Sequence, residues 1–301
     1  MAIPVTRGSI SSLLSPDLHK VYVEVGKERP KEYPMIFNVE TMEWNPITDR
    51  NVSGLGTMPT KDETEQFTRD DFIVGNTKTY TAVPYGLAVE ISWEAWRDEL
   101  YGVLQEMVRG LARAGHYREE VDAWSVFNNS FSDSYYGFDA SDSLCNTAHD
   151  GLDGTTRANR PSTDIGLSIT GLQNAITRFE TTTNERNLPQ LIAPSKVVIA
   201  PANKFVAREI FGSGSKPYSA NNEINALVDE DLAYFVCHYI TTSTYWWLVA
   251  NKGEHDLNFF WRDMPIFDMF DDPLTKNAIA TAYQRHITGF GAWRGIDGST
   301  G

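Results

Sequence analysis

The sequence predicts an α+β fold, because helical and strand-like segments are mixed without a regular strand–helix alternation. Three segments carry this prediction. A long amphipathic helix starts at Ser92, a second helix has its apolar face within Ile169–Phe179, and Lys196–Ala200 has the unbroken apolar run of a buried strand. With 301 residues, of which 41% are hydrophobic, the chain can bury a large core.

The clearest element is the helix that begins at Ser92. Ser92 is a good N-cap, and Glu94 places an acidic side chain in the first turn, where the helix dipole favours it. The apolar face then follows at helical spacing: Trp93, Trp96, Leu100, Val103, Leu104, Met107 and Leu111. This helix is predicted to run to about residue 114, and a second helical stretch is predicted to continue it through Tyr117, Val121 and Trp124.

The remaining elements are short. A helix is predicted at Asn203–Phe211, after Pro201 ends the preceding strand. Further strands are predicted at Val21–Val25, Met35–Val39, Phe72–Val74, Thr79–Val83, Tyr234–Ile240 and Tyr245–Val249.

Residues 36–85 fit poorly into a compact core. Strand-like pieces alternate there with turn-rich stretches such as Asn45–Pro46 and Ser53–Gly56. Long connections of this kind usually carry a function or an interaction. We therefore expect this excursion to pack on something outside its own core.

Composition excludes several classes of protein. The net charge of −14 argues against a protein that coats DNA through a basic face. The sequence has no apolar run long enough to span a membrane and no signal-peptide pattern at its start, so no membrane partner is expected. Cys145 and Cys237 are too few for a disulfide framework, and free thiols in a reducing compartment are expected.

Motifs for catalysis or cofactor binding are weak. Gly212–Lys216 has the wrong spacing for a phosphate-binding loop, and the six histidines include no pair spaced for zinc on one helix. Cys145 and His149 could form a thiolate–imidazole pair, but a buried structural thiol is the favoured interpretation. We therefore expect no catalytic, cofactor-binding or metal-binding residue and no cofactor, with a soluble cysteine hydrolase as the enzyme alternative.

Several stretches are informative when they are taken in order: Trp124–Phe131, Leu144–His149, Lys196–Pro201, Asp271–Thr275, Tyr283–Arg285 and Trp293–Ile296. Together they resemble the major capsid proteins of tailed bacteriophages. The resemblance covers nearly the whole chain and implies the Hong Kong 97-type fold. It is closest to the Mu-like major head subunit branch.

The resemblance implies five regions. These are an N-terminal arm (1–35), an extended loop with a lead-in strand (36–91), a peripheral domain with a long spine helix (92–190), an axial domain (191–255), and a return to the peripheral domain with a C-terminal tail (256–301). Its extended loop would lie over an adjacent subunit. Residues expected to contact other subunits are Arg29, Phe37, Trp44, Phe67 and Phe72.

The implied function is that of a structural subunit of an icosahedral phage head, not an enzyme. Many copies would assemble into pentamers and hexamers around double-stranded DNA, without sequence-specific DNA binding. A separate scaffolding protein, a portal and a decoration protein are the other expected partners. The expected location is the virion, after assembly in the host bacterial cytoplasm. An encapsulin-like shell around a protein cargo is the alternative with the same fold.

Overall fold

The computed structural model describes residues 7–28, 30–92, 101–139, 142–216, 223–272, 274–275 and 277–301. Its helices are α1 (Arg7–Glu28), α2 (Tyr101–Asn128), α3 (Ile169–Glu180) and α4 (Lys204–Gly212). Its strands are β1 (Asn38–Thr41), β2 (Ile47–Val52), β3 (Val74–Tyr80), β4 (Val83–Ile91), β5 (His149–Asp150), β6 (Thr156–Arg157), β7 (Pro194–Ile199), β8 (Ala233–Val236), β9 (Trp246–Ala250), β10 (Leu257–Asp271), β11 (Ala278–Phe290) and β12 (Ile296–Ser299).

Two four-stranded sheets form the body. The first has the order β1-β10-β11-β4, and the second has the order β12-β9-β7-β8. β2 and β3 form a separate antiparallel hairpin, and β5 and β6 form a short one. This arrangement confirms the predicted α+β class.

The long helix is partly described. α2 runs without a break from Tyr101 to Asn128, so the predicted division near residue 114 is wrong. The predicted start at Ser92, with residues 93–100, lies outside the described helix. The predicted helix at Ile169–Phe179 is confirmed as α3, where the hydroxyl of Ser168 caps the helix by accepting a hydrogen bond from Gly171 N at 3.1 Å. The short helix after Pro201 is confirmed as α4.

The predicted strand at Val21–Val25 is wrong, because these residues lie in α1. Alternating valines suggested a strand, but Leu18, Tyr22 and Val25 have helical spacing and are the buried residues. They pack against Val108, Leu111 and Ala112 of α2 and against Phe267 of β10. The burial of this helical stripe on its own chain overrides the strand preference of valine.

Of the predicted strands in the second sheet, Lys196–Ala200 and Tyr245–Val249 are confirmed within one residue or two at each end, whereas β8 ends at Val236, four residues before the predicted end at Ile240. The strands predicted before α2 have different bounds in the structure. Residues Tyr33–Met35 form a 3-10 turn with Pro34 in its first positions, so β1 starts only at Asn38. Thr79–Val83 is divided between β3 and β4, because Ala82 N donates to Asn45 Oδ1 at 3.0 Å and leaves the strand ladder.

The C-terminal region contributes to both sheets. β10 and β11 pair along the first sheet, whereas β12 pairs with β9 in the second. A two-pronged ion pair ties this last strand to α3: Arg178 Nε and Nη2 each lie 2.6 Å from an oxygen of Asp297. The Asp297 side chain is 1% exposed, so it depends on Arg178 for a partner.

We expect Arg178→Ala to lower the free energy of unfolding by about 3–5 kcal/mol, because it leaves the Asp297 carboxylate buried and unpaired. Chemical denaturation of the unassembled chain measures this. Arg109→Ala is the control, since Arg109 forms an exposed pair with Glu106 and its removal should cost less than about 0.5 kcal/mol. Equal small losses in both variants would contradict the structural role of the Arg178–Asp297 pair.

Candidate subunit interface

The hairpin of β2 and β3 forms the central part of residues 36–85, the segment that was expected to fit poorly into a compact core. Its ladder runs from Ile47 opposite Tyr80 to Val52 opposite Val74, and Ser53 N extends it by donating to Ile73 O at 2.8 Å. Residues 54–73 then follow without a helix or strand. We call residues 53–73 the hairpin loop. The excursion is therefore narrower than residues 36–85, since β1 and β4 belong to the first sheet.

The base of the hairpin is fixed to the first sheet by a small apolar cluster. Tyr80 is 2% exposed and its ring lies 5.1 Å from that of Phe260 on β10. Met42, Ala82 and Ile287 complete the contact. The hairpin thus leaves the body from a rigid attachment.

Apolar side chains are exposed on both sides of this base, at Trp44 in the turn before β2 and at Phe67 and Phe72 in the hairpin loop. Trp44 is 76% exposed, Phe67 84% and Phe72 56%. Lys61 Nζ lies 5.2 Å from the centre of the Phe67 ring, and a single cation–π contact covers little of that ring. Exposed aromatic groups on a projecting hairpin are typical of surfaces that bind another chain.

Phe37 does not belong to this surface. Its side chain is fully buried, with its ring edge-on to Trp124 at 5.8 Å and to Phe127 at 5.7 Å. The structure therefore corrects its assignment as an inter-subunit contact, because the ring has no exposed atoms to offer a neighbour. Its position just before β1 brings it under α2. Arg29, the other predicted contact near the arm, lies outside the described residues.

Other exposed apolar side chains were not predicted. Met58 in the hairpin loop is 99% exposed, and Phe205 at the start of α4 is 69% exposed. Ala207 and Ile210 form the buried face of α4, and Phe205 lies off that face. A helical projection of residues 204–212 could have identified Phe205. Met58 has no such signal, because the loop around it has no periodicity.

Cys145 and His149 do not form a catalytic pair. Cys145 is fully buried, and burial raises the pKa of its thiol well above the ordinary value, so the thiolate is disfavoured. His149 Nε2 bonds to Asn159 Oδ1 at 2.8 Å, and its ring stacks on Trp293 at 4.3 Å. Asn159 in turn donates to the carbonyls of Leu144 and Ile296. The two residues stabilise a loop against the end of the second sheet.

Two further kinds of feature bear on function. Within the described ranges, histidine, cysteine and acidic side chains do not gather in groups of three or more that could hold a metal ion. Across the same residues, no helix combines the length and apolarity needed to cross a membrane.

Comparison with known proteins gives a consistent result. The phage capsid protein family matches residues 75–296. A search of curated proteins finds no match. Among solved structures, the procapsid of bacteriophage JBD30 is similar at 15% identity and a TM-score of 0.52, with 99% of this chain and 76% of that chain covered.

Two other solved structures are matched over almost the whole length of their own chains. The structure of Mycobacterium phage Adephagia matches at 8% identity and a TM-score of 0.59, over 99% of this chain and 98% of that chain. A virus-like particle from Pyrococcus furiosus matches at 10% identity and a TM-score of 0.55, over 94% of this chain and 98% of that chain. Such identities establish a shared fold only.

We expect Phe37→Ala to destabilise the unassembled chain by about 3–5 kcal/mol, because it opens a cavity between Trp124 and Phe127. Phe67→Ala removes a similar ring from an exposed position and should cost less than about 0.5 kcal/mol. Urea denaturation of both variants checks the distinction. A small loss for Phe37→Ala would restore this residue as a candidate interface contact.

We also expect His149 to make stability depend on pH. Burial lowers the pKa of His149 to about 4, while an unfolded histidine has a pKa near 6.5. Folding therefore favours the neutral ring. The contribution is complete above about pH 6.5 and falls as the pH drops toward 4, by about 2 kcal/mol at pH 4.5.

The measurement is the difference in unfolding free energy between pH 7 and pH 4.5. It should shrink in His149→Gln and stay unchanged in His19→Gln, which replaces an exposed histidine of α1. The same difference in wild type and His149→Gln would show that this ring does not couple folding to protons.

Proposed function

The chain belongs to the phage capsid protein family and is a structural subunit of a phage head, and we propose that it assembles into pentamers and hexamers of an icosahedral shell around double-stranded DNA. Its fold is of the Hong Kong 97 type, as predicted. The Mu-like branch remains a prediction. The family match over residues 75–296 is the observation that carries the proposal.

The subunit assembles with copies of itself into the capsid of the virion, since the similar structures are multi-copy assemblies. For the regions, we propose the N-terminal arm at 1–35, the extended loop at 36–91, the peripheral domain at 92–190, the axial domain at 191–255 and the return at 256–301. In this division the β2–β3 hairpin is the part of the extended loop that reaches an adjacent subunit.

The exposed aromatic rings of the hairpin loop, and that of Trp44 in the turn before β2, support this arrangement. Trp44, Phe67 and Phe72 would each gain about 1.5–3 kcal/mol by full burial against another chain. Binding also costs translational, rotational and side-chain freedom, so one such contact is weak. A closed shell repeats the contact by symmetry and becomes stable as a whole.

The remaining partners are part of the same proposal. A scaffolding protein, a portal and a decoration protein would join the shell, and assembly would take place in the host bacterial cytoplasm. The net charge of −14 disfavours tight adhesion to DNA, so the genome would be held by confinement and without sequence recognition.

Electron microscopy of the purified chain, alone and with its scaffolding protein, tests the proposal. Closed shells of uniform size are expected, and persistent monomers under both conditions would refute it. Particles from the natural source should contain double-stranded DNA. An enzyme cargo in place of DNA would instead support an encapsulin-like compartment.

We predict that replacing Trp44, Phe67 and Phe72 together by alanine raises the concentration needed for assembly by about tenfold or more, because their burial between subunits is lost. Light scattering against protein concentration measures it. Gln66→Ala is the control, since it removes an exposed polar neighbour from the same loop. Unchanged assembly of the triple variant would exclude these rings from the interface.

A further inference from the structure

A carboxylate ties the two limbs of the hairpin loop at Gly56 and Asp70, which we call its neck, just beyond the hydrogen bonds between Ser53 and Ile73. Asp70 Oδ2 accepts a hydrogen bond from Gly56 N at 2.7 Å, and Asp70 Oδ1 accepts one from Asp71 N at 2.9 Å. Because Gly56 and Asp70 lie on opposite limbs of the loop, the carboxylate ties the limbs together. These two N–H groups, joined by Arg186, lower the pKa of Asp70 and keep it ionised.

Arg186 reaches the same neck from another part of the body. Its Nη2 lies 3.2 Å from Asp70 Oδ1 and donates to the backbone carbonyl of Asp71. One guanidinium thus contacts both a charged side chain and the main chain of the loop. An arginine suits this position, since its planar group offers several donors in a fixed geometry.

The turn that carries Arg186 is itself held firmly. Arg157 Nη2 donates to Asn184 O at 2.7 Å and to Asn187 Oδ1 at 3.0 Å. Asn184 Oδ1 accepts from the backbone N–H groups of Arg186 and Leu188 at 2.9 and 3.0 Å.

A buried ion pair anchors the same turn to the body. Arg294 Nη2 lies 2.8 Å from Glu185 Oε1, and both side chains are less than one-tenth exposed. Arg186 therefore projects from a fixed platform.

Beyond the neck, the loop is uncovered. Residues 57–69 are all exposed, and Met58 and Phe67 keep almost their whole surface in solvent. The contacts of Arg186 stop at residues 70 and 71, so they do not mask the apolar tip. A contact that orients a loop without covering its binding side chains prepares it for a partner and does not inhibit it.

We propose that Asp70 and Arg186 are positioning residues for shell assembly: they clamp the neck of the hairpin loop and fix the direction of its tip before another subunit binds. The inference rests on the proposed function, because direction matters only if the tip binds a neighbour. Without the clamp, the tip samples more orientations and fewer encounters between subunits are productive.

Hydrogen exchange of the unassembled chain tests the clamp by itself. In Arg186→Ala, the hydrogen-bonded amides of Gly56, Asp71 and Ile73 should exchange about tenfold faster, because the neck opens more often. Asp70→Ala should give a similar change, and it cannot unfold the body because Asp70 lies in an exposed loop. The double variant should add little to either. Arg109→Ala, from an exposed pair on α2, should leave these amides unchanged.

Assembly kinetics test the consequence. Arg186→Ala and Asp70→Ala should lengthen the lag of shell formation and lower the fraction of closed particles, whereas Arg109→Ala should assemble like wild type. Unchanged exchange in Arg186→Ala would overturn the clamp. Faster exchange with unchanged or faster assembly would overturn its positioning role. If wild type itself forms no shells, the proposed function fails, whatever the exchange result.

Discussion

Burial of the C-terminal half of α2 holds the two sheets together. Trp124 stacks on Phe235 of β8 at 5.9 Å, and Phe127 contacts Trp247 of β9 at 5.2 Å, so this half of the helix covers the second sheet. The Oδ2 atom of Asp122, two residues before Trp124, lies 3.0 Å from His286 Nε2 on β11 of the first sheet. Fewer than two turns of helix therefore contact both sheets. A shift of α2 would disturb both at once, because packed interiors transmit displacements.

The same helix fixes the segment that leads from α1 into β1. Glu120 is 4% exposed and accepts hydrogen bonds from Glu32 N at 2.6 Å, Tyr33 N at 3.2 Å and Trp124 Nε1 at 3.0 Å. Burial raises the pKa of Glu120, and the three N–H donors oppose that effect. Lys31 forms an ion pair with the neighbouring Glu119 at 2.5 Å. Helix α2 thus contacts the sheets mainly through apolar packing and holds the segment between α1 and β1 through two carboxylates.

Many of the helices and strands could be predicted from the local periodicity of apolar residues. The predictions of elements that failed share one cause. The stripe of α3 and the apolar runs of β7 and β9 have one dominant spacing, and these elements were found in the sequence. Val21–Val25 is compatible with two spacings, and only contact with α2 decides between them.

Contacts between distant residues cannot be read from sequence in the same way. Phe37 and Phe67 are both aromatic residues in irregular surroundings, yet the first is buried beneath α2 and the second is exposed. The contact of Arg186 with Asp71 spans 115 residues of sequence, and no local pattern marks either partner. The pattern of apolar residues predicts where helices and strands lie, whereas tertiary packing determines which of their faces remain exposed.

The contrast between a buried core and an exposed hairpin loop bears on how subunits can associate. Each chain buries an aromatic core among its own residues. At a net charge of −14, subunits repel one another once their surfaces come within roughly a Debye length, about 8 Å at physiological salt. In the proposed arrangement, association would come from localised apolar contacts such as the hairpin tip, which are individually weak and reversible. Reversible contacts allow a misplaced subunit to leave before closure, and this favours a loop whose direction is fixed over one whose affinity is high.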